Sequence, residues 1–365
     1  MATLPHGSWP TPITSELVVR AARAPGDVAF DGADIWWSES RPDEGGRVAV
    51  LRREPGGAVA EVLAGPWNVR SLVHEYGGGA WWVRDGVLWF ADWVTQRLHR
   101  VAPGGEPVAL TPEPVVARGL RYADGDVSPD GSTILCVQEC HEEGAEAVNT
   151  IVRLRAHEPS APEPVVDGPD FVSSPRWRPD GAAWSWLEWD HPDMPWDSTR
   201  LVVSDGSRRT VVAGGDAAAP EAICQADWAP DGALWFSSDR SGFWSLYRWT
   251  AETGVEAMAE LDLDVGFPHW VFGKSCFAFL DGGRVAFVVD EEGMQQLGIL
   301  ERDGGITMLD VPHTSFYALR SNGADLGFIG ASPTAEAHVA TIAVGEGRGA
   351  APVAVVPPRD LGIGA

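Results

Sequence analysis

The sequence predicts an all-β chain, a seven-bladed β-propeller built from four-stranded antiparallel blades. Three observations lead there. Short runs of β-branched and aromatic residues alternate with Gly, Asp and Pro turns along all 365 residues, as strands and hairpins do. Examples are Ile35-Trp36-Trp37, Val87-Leu88-Trp89-Phe90, Leu234-Trp235-Phe236 and Val285-Ala286-Phe287-Val288. Second, an x-P-D-G turn recurs at Ser128-Pro129-Asp130-Gly131, Arg178-Pro179-Asp180-Gly181 and Ala229-Pro230-Asp231-Gly232, about 50 residues apart. Pro presets the first turn dihedral, Asp bonds its own backbone and Gly takes the positive φ. Third, each copy precedes an apolar strand, beginning at Thr133, Ala183 and Leu234.

Weaker copies of the hairpin at Phe30-Asp31-Gly32, Val83-Arg84-Asp85-Gly86, Leu280-Asp281-Gly282-Gly283 and Ser321-Asn322-Gly323 raise the number of units to seven. They begin near residues 26, 72, 121, 171, 222, 275 and 314 and fill 26–344. A repeat of about 40–50 residues with four strands is the propeller signature. Each sheet buries both faces against its neighbours, and 18 tryptophans supply the bulk that the wedge between twisted sheets needs. A pair of β-sandwiches is the rival arrangement. Within one unit, Asp239-Arg240-Ser241-Gly242 turns into Phe243-Trp244-Ser245-Leu246-Tyr247-Arg248 as a hairpin. Residues 1–25 precede the repeats as an extension; the apolar stretch Ile13 to Ala22 predicts a short helix with Thr14 or Ser15 as its N-cap. Residues 345–365, rich in Gly, Ala and Pro, read as a linker or tail.

The formal net charge of −25 repels nucleic acid and anionic membrane, so neither is an expected partner. No run approaches the length of a membrane helix, and Met1 to Thr14 lacks the charged start and apolar run of a signal peptide. A cytoplasmic location is the expectation. Of the four cysteines, Cys136, Cys140, Cys224 and Cys276, none makes a CxxC pair. Cys136 and Cys140 on one strand would stand roughly 13 Å apart, beyond disulfide reach; buried free thiols are expected. No cofactor or metal set is indicated; His141 beside Cys140 is the only hint of one.

No serine has Gly at both flanking positions of a G-x-S-x-G elbow. Gly273-Lys274-Ser275-Cys276-Phe277 comes nearest and lacks the second Gly. Walker, HExxH and EF-hand patterns are also missing. Four polar clusters stand out instead. Val73 to Trp82 holds His74, Glu75 and Tyr76 before three glycines, which imply close backbone approach; it reads as a bulged inner strand or as a ligand-facing carboxylate. Gln138, Glu139, His141, Glu142 and Glu143 form a solvated acidic loop or converge on a substrate ammonium group. Leu187 to Asp197, with two Pro and two Trp, is a stiff loop that braces a blade or meets a partner. Gly266 to Gly273 is an aromatic turn packed between blades.

Several of these segments carry a resemblance. GSWPTPIT, VHEYGGGAWW, WDHPDMPWDSTRLVV, WAPDGALWFSSDRSGFWSLYR and FPHWVFGKSCFAFL resemble, in order, the propeller of bacterial dipeptidyl-aminopeptidase and acylaminoacyl-peptidase-like members of the prolyl-oligopeptidase family. The likeness runs from about Gly7 to Val344. It implies an α/β-hydrolase catalytic domain as partner, bearing the Ser, Asp and His triad, and a peptide or aminoacyl substrate. The sequence ends where the linker to that domain is expected, so no catalytic residue is assigned here and the isolated chain is expected not to turn over such substrates. The resemblance makes the propeller a gate that sets substrate selectivity; a free-standing scaffold that binds a protein or small ligand is the alternative. It places the substrate-binding candidates at His74, Glu75, Tyr76, Gln138, Glu139 and His141. Where relatives often read R-E-D-H, this chain reads Gln138-Glu139-Cys140-His141, and a neutral amide lacks the charge and fork of Arg. Residues 1–25 and the channel-facing loops are the expected docking surface for the hydrolase.

Overall fold

A computed structural model describes residues 5–19, 22–216, 218–259, 261–345 and 351–359. It forms seven antiparallel sheets of four strands, each built from strands consecutive in sequence. Blades one to seven span residues 24–61, 81–109, 120–166, 171–214, 223–259, 277–308 and 315–354. Among the described residues helix is confined to Ser15–Val19 and two 3-10 turns, Pro42–Glu44 and Asp281–Gly283. Among the described residues no helix is long and apolar enough to cross a membrane.

The x-P-D-G turns sit where the inner strand of a blade gives way to the second. Ser128 N–H bonds Thr133 O at 2.7 Å, Arg178 N–H bonds Ala183 O at 2.9 Å and Ala229 N–H bonds Ala233 O at 2.8 Å. The strands that follow, Thr133–Cys140, Trp184–Trp189 and Leu234–Ser238, are the expected ones. Alternate side chains of each strand reach opposite faces, and both faces are covered by the next blade. The buried apolar residues accordingly fall into seven clusters, one per interface between neighbouring blades. Trp36, Trp81, Leu88 and Phe90 join blades one and two; Cys224, Trp235, Phe277 and Phe287 join blades five and six.

The ring closes without strand exchange. Blades one and seven each keep four consecutive strands and meet through Val28, Ile35, Trp37 and Leu51 against Ala318, Ile329, Val339 and Val355. Asp27 and Arg320 form an ion pair across this seam at 3.3 Å, and Arg53 donates to Val355 O at 2.9 Å. The outer strand of blade seven is Val353–Ala354, contributed by the segment that its Gly, Ala and Pro content marks as tail. The second blade begins at Trp81, some nine residues after its expected start near 72, because residues 73–77 turn back as a loop. The helix Ser15–Val19 is capped as expected: Leu17 N–H bonds Thr14 Oγ1 at 3.1 Å.

Candidate functional site

The His74 to Gly79 loop owes its shape to an unusual backbone. His74 and Glu75 hold φ at 53° and 63°, and Gly77, Gly78 and Gly79 at 72°, 86° and 51°. Two consecutive non-glycine residues in the left-handed region are costly and persist only where surroundings impose them. Here the surroundings are explicit. Gly77 accepts from Phe272 N–H at 3.1 Å, which brings the aromatic turn at 266–273 against the glycines, and Gly78 pairs with Phe272 in a parallel bridge. Glu139 Oε2 accepts from His74 N–H at 2.7 Å.

Glu139 is the hub. It lies on the second strand of blade three and is 3% exposed. Its Oε1 accepts from Arg121 Nη1 at 3.1 Å and meets His141 Nε2. Arg121, on the adjacent inner strand, also donates to Leu72 O at 2.9 Å and to Glu75 Oε1 at 2.7 Å. Glu75 is mostly exposed, and Arg121 holds its carboxyl below the usual carboxylate range. The structure thus brings Glu75, Glu139 and His141 together around Arg121; their ligand atoms lie within 4.8 Å of one another. With a guanidinium between the two carboxylates, the trio is an ion-pair network and a poor cation site. Gln138 stands apart. Adjacent strand residues point to opposite faces, and its amide donates to Tyr122 Oη at 2.9 Å.

Behind this network opens a cleft of about 630 Å³. All four polar clusters named from sequence meet in it: His74 to Gly77, then Glu139 and His141, then Trp189 to Trp196, then His269 to Phe272. Its walls are aromatic. Phe171 and Trp189 stack with ring centres 5.4 Å apart and planes 12° apart. His74 meets Phe171 edge-on at 5.2 Å and Phe272 at 4.8 Å. At the rim, exposed Tyr76 crosses Trp270 at 5.4 Å. Burial holds the His74 imidazole below its ordinary pKa and pushes His269 down to about 4, so both are neutral near pH 7. Two cleft atoms, Ser173 Oγ and His269 Nδ1, are buried with no hydrogen-bond partner among the described residues, while the buried His74 and Asn149 side chains interact with each other. Buried polar groups are nearly always paired. An apolar cleft with a few convergent, unpaired polar atoms is the form of a small-molecule site.

Sequence reasoning missed Arg121 and Asn149, and it missed a second set in the central channel. Arg176 bonds Asp124 at 2.9 Å and pairs with Asp227 at 3.3 Å; Arg320 pairs with Asp27. A signal existed. Asp126, Arg176 and Asp227 each stand three residues before the Pro of an x-P-D-G turn, so the repeat stacks acid, base and acid at one position of blades three, four and five. Burial pushes Asp126 up to about 6, against the opposing pull of Arg176. The unfolded chain loses this proton near pH 4 while the fold keeps it to about pH 6, so this group lowers stability as pH rises between those values. Asp126→Asn is therefore expected to gain Tm relative to the parent from pH 4 to pH 6 and to hold that gain above. Thermal melts across pH 4–8 check this; a difference that stays flat would contradict it.

Comparison with solved structures gives the same architecture. A puromycin-hydrolysing peptidase of Mycobacterium tuberculosis superposes with a TM-score of 0.88 at 33% identity, over 96% of this chain and 56% of that one. A puromycin hydrolase gives 0.86 at 34% identity, over 96% and 56%. A structure from a study of two prolyl endopeptidases, at 13% identity and a TM-score of 0.70, shares the fold. No protein-family model matches the chain, and no curated protein does. Fold and likeness together identify the chain as a propeller of the prolyl-oligopeptidase family of peptidases. It spans about 56% of the length of the puromycin-hydrolysing relatives.

Proposed function

We propose that this propeller gates and selects substrate for an α/β-hydrolase catalytic domain of the same family, favouring peptides or aminoacyl compounds with a free α-amino group. The observation that carries this is the cleft itself: aromatic walls, the unpaired buried Ser173 Oγ and His269 Nδ1, and a carboxylate at the mouth. Glu75 Oε1 is engaged by Arg121, and Oε2 has no hydrogen-bond partner among the described residues, leaving it open to an ammonium group. Glu139 does not face the substrate in this reading; it positions Arg121, and Arg121 positions Glu75. The aromatic walls take the apolar part of the substrate, and relatives that hydrolyse puromycin support a substrate of aminoacyl type. The catalytic domain supplies nucleophile, base and oxyanion hole. Exposed Ile13, Val18 and Val19 on the N-terminal segment offer it an apolar docking surface.

The test joins the chain to a family hydrolase domain and assays Glu75→Gln on free and N-acylated forms of one substrate. A partly desolvated ammonium–carboxylate pair is worth about 2–3 kcal/mol, so kcat/KM should fall roughly 30–150-fold for the free amine alone. Equal losses on both forms would make Glu75 structural and overturn the reading.

A further inference from the structure

The geometry points to a modification site between blades five and six: Cys224 and Cys276 form an oxidisable pair that closes into an inter-blade disulfide. Cys224 lies on the inner strand of blade five and Cys276 immediately precedes that of blade six. Both are buried, and their sulfurs are 3.8 Å apart. A disulfide needs about 2.05 Å, so the sulfurs must approach by about 1.8 Å, a distance that small side-chain rotations at both residues can share. The two backbones are already fixed in mutual register by one side chain. Gln225 Oε1 accepts from Cys276 N–H at 2.6 Å and from Phe277 N–H at 3.1 Å, and Gln225 Nε2 donates to Phe277 O at 3.1 Å.

The pair is also asymmetric. The two sulfurs are in hydrogen-bond contact, with either able to donate, and the contact with Cys276 holds Cys224 below the ordinary thiol pKa against the effect of burial. Burial and that same contact push Cys276 up. Either thiol can be oxidised first and the other then resolves it; the steps are written here with Cys224 attacking. With hydrogen peroxide, a reagent small enough for a buried site, the Cys224 thiolate attacks one peroxide oxygen. The O–O bond breaks, a sulfenic acid forms and hydroxide takes up the proton to leave as water. Cys276 sulfur then attacks Cys224 sulfur and displaces the hydroxyl as a second water. Two thiols are oxidised and one peroxide is reduced to two waters. Cys136, fully buried and pushed up by burial with no thiol partner, serves as an internal control.

This bond would act on the cleft. The aromatic turn leaves the core at Gly266, where an added Cβ would stand 3.0 Å from Cys224 Sγ, and returns at Cys276. Both ends of the wall that carries His269, Trp270 and Phe272 therefore lie at the thiol pair, and oxidation ties the Cys276 end covalently to blade five beside the packed Gly266 end.

The test treats the full chain with hydrogen peroxide, unfolds it, alkylates the remaining thiols and reads mass and peptides. Two of the four thiols should be lost, with the loss of two hydrogens and one crosslinked peptide holding Cys224 and Cys276, all reversed by dithiothreitol. The melting temperature should rise by several degrees in the parent, as expected when a loop is closed, and not in Cys276→Ala. That variant should instead accumulate a sulfenic acid at Cys224 that dimedone captures. Four alkylated thiols, a crosslink through Cys136 or Cys140, or over-oxidation of Cys224 in the parent would each overturn the proposal. None of these readouts depends on catalysis, so the result stands apart from the substrate-gating reading.

Discussion

Arg121→Ala is expected to destabilise the fold by about 3 kcal/mol, the low end of the cost of leaving one member of a buried ion pair uncompensated. The Glu139 side chain is only 4% exposed. Without Arg121 it keeps His74 N–H and His141, and a backbone amide and an imidazole do not replace a guanidinium. Loss of the Leu72 O contact also frees the root of the His74 loop. Urea unfolding of the parent, of Arg121→Ala and of Arg121→Ala combined with Glu139→Gln gives the check. The double variant should recover part of the loss, because the stranded charge is then gone. A single-variant cost under about 1 kcal/mol, the range of a surface pair, would show that the hub is solvated.

Gly78→Ala should cost a similar amount through sterics alone. An added Cβ would stand 2.4 Å from Phe272 O and 2.8 Å from Phe272 N, both backbone atoms that cannot rotate aside. The left-handed conformation adds about 1–2 kcal/mol for any L side chain, and overpacking about 1–3 more. Relief requires the aromatic turn to move away from the glycines, so the cleft should lose its wall as well as its stability. Gly144→Ala is the control: its φ is also positive, at 77°, but nothing lies within 4 Å of the added carbon. Denaturant midpoints for the two variants should therefore differ clearly. Similar midpoints would mean that the close approach to Phe272 is not maintained in solution.

Much of this architecture was legible in the sequence because it is local and repeated. An x-P-D-G turn followed by an apolar run specifies a hairpin without reference to the rest of the chain, and repetition turns hairpins into a ring. The four polar clusters were legible as well, since Pro, Trp and Gly among charged residues are conspicuous. Their convergence was not, because it depends on contacts between blades, such as Phe272 against Gly77 and Gly78. Nor could the sequence tell Gln138 from Glu139. On a strand buried on both faces the hydrophobic pattern does not alternate, and Cys136, Val137 and Glu139 are all buried. Which of the two polar neighbours faces the cleft is set by register against Asn149 and Arg121. The late start of blade two has a similar origin, in left-handed backbone at two non-glycine residues that composition does not announce.

The seam between blades one and seven gives the ring a mechanical weak point. Six of the seven interfaces are crossed by the backbone, so parting them must stretch or uncoil a connection. Among the described residues, no strand is shared across the seventh. It is held by an apolar contact layer, by the Asp27–Arg320 pair, by Arg53 on Val355 O and, further out, by Arg359, which pairs with Glu336 and donates to Val18 O at 3.3 Å. A radial load on this molecule is therefore not shared evenly around the circle. It concentrates on one noncovalent joint, and the elastic behaviour of the whole ring is that of a split washer.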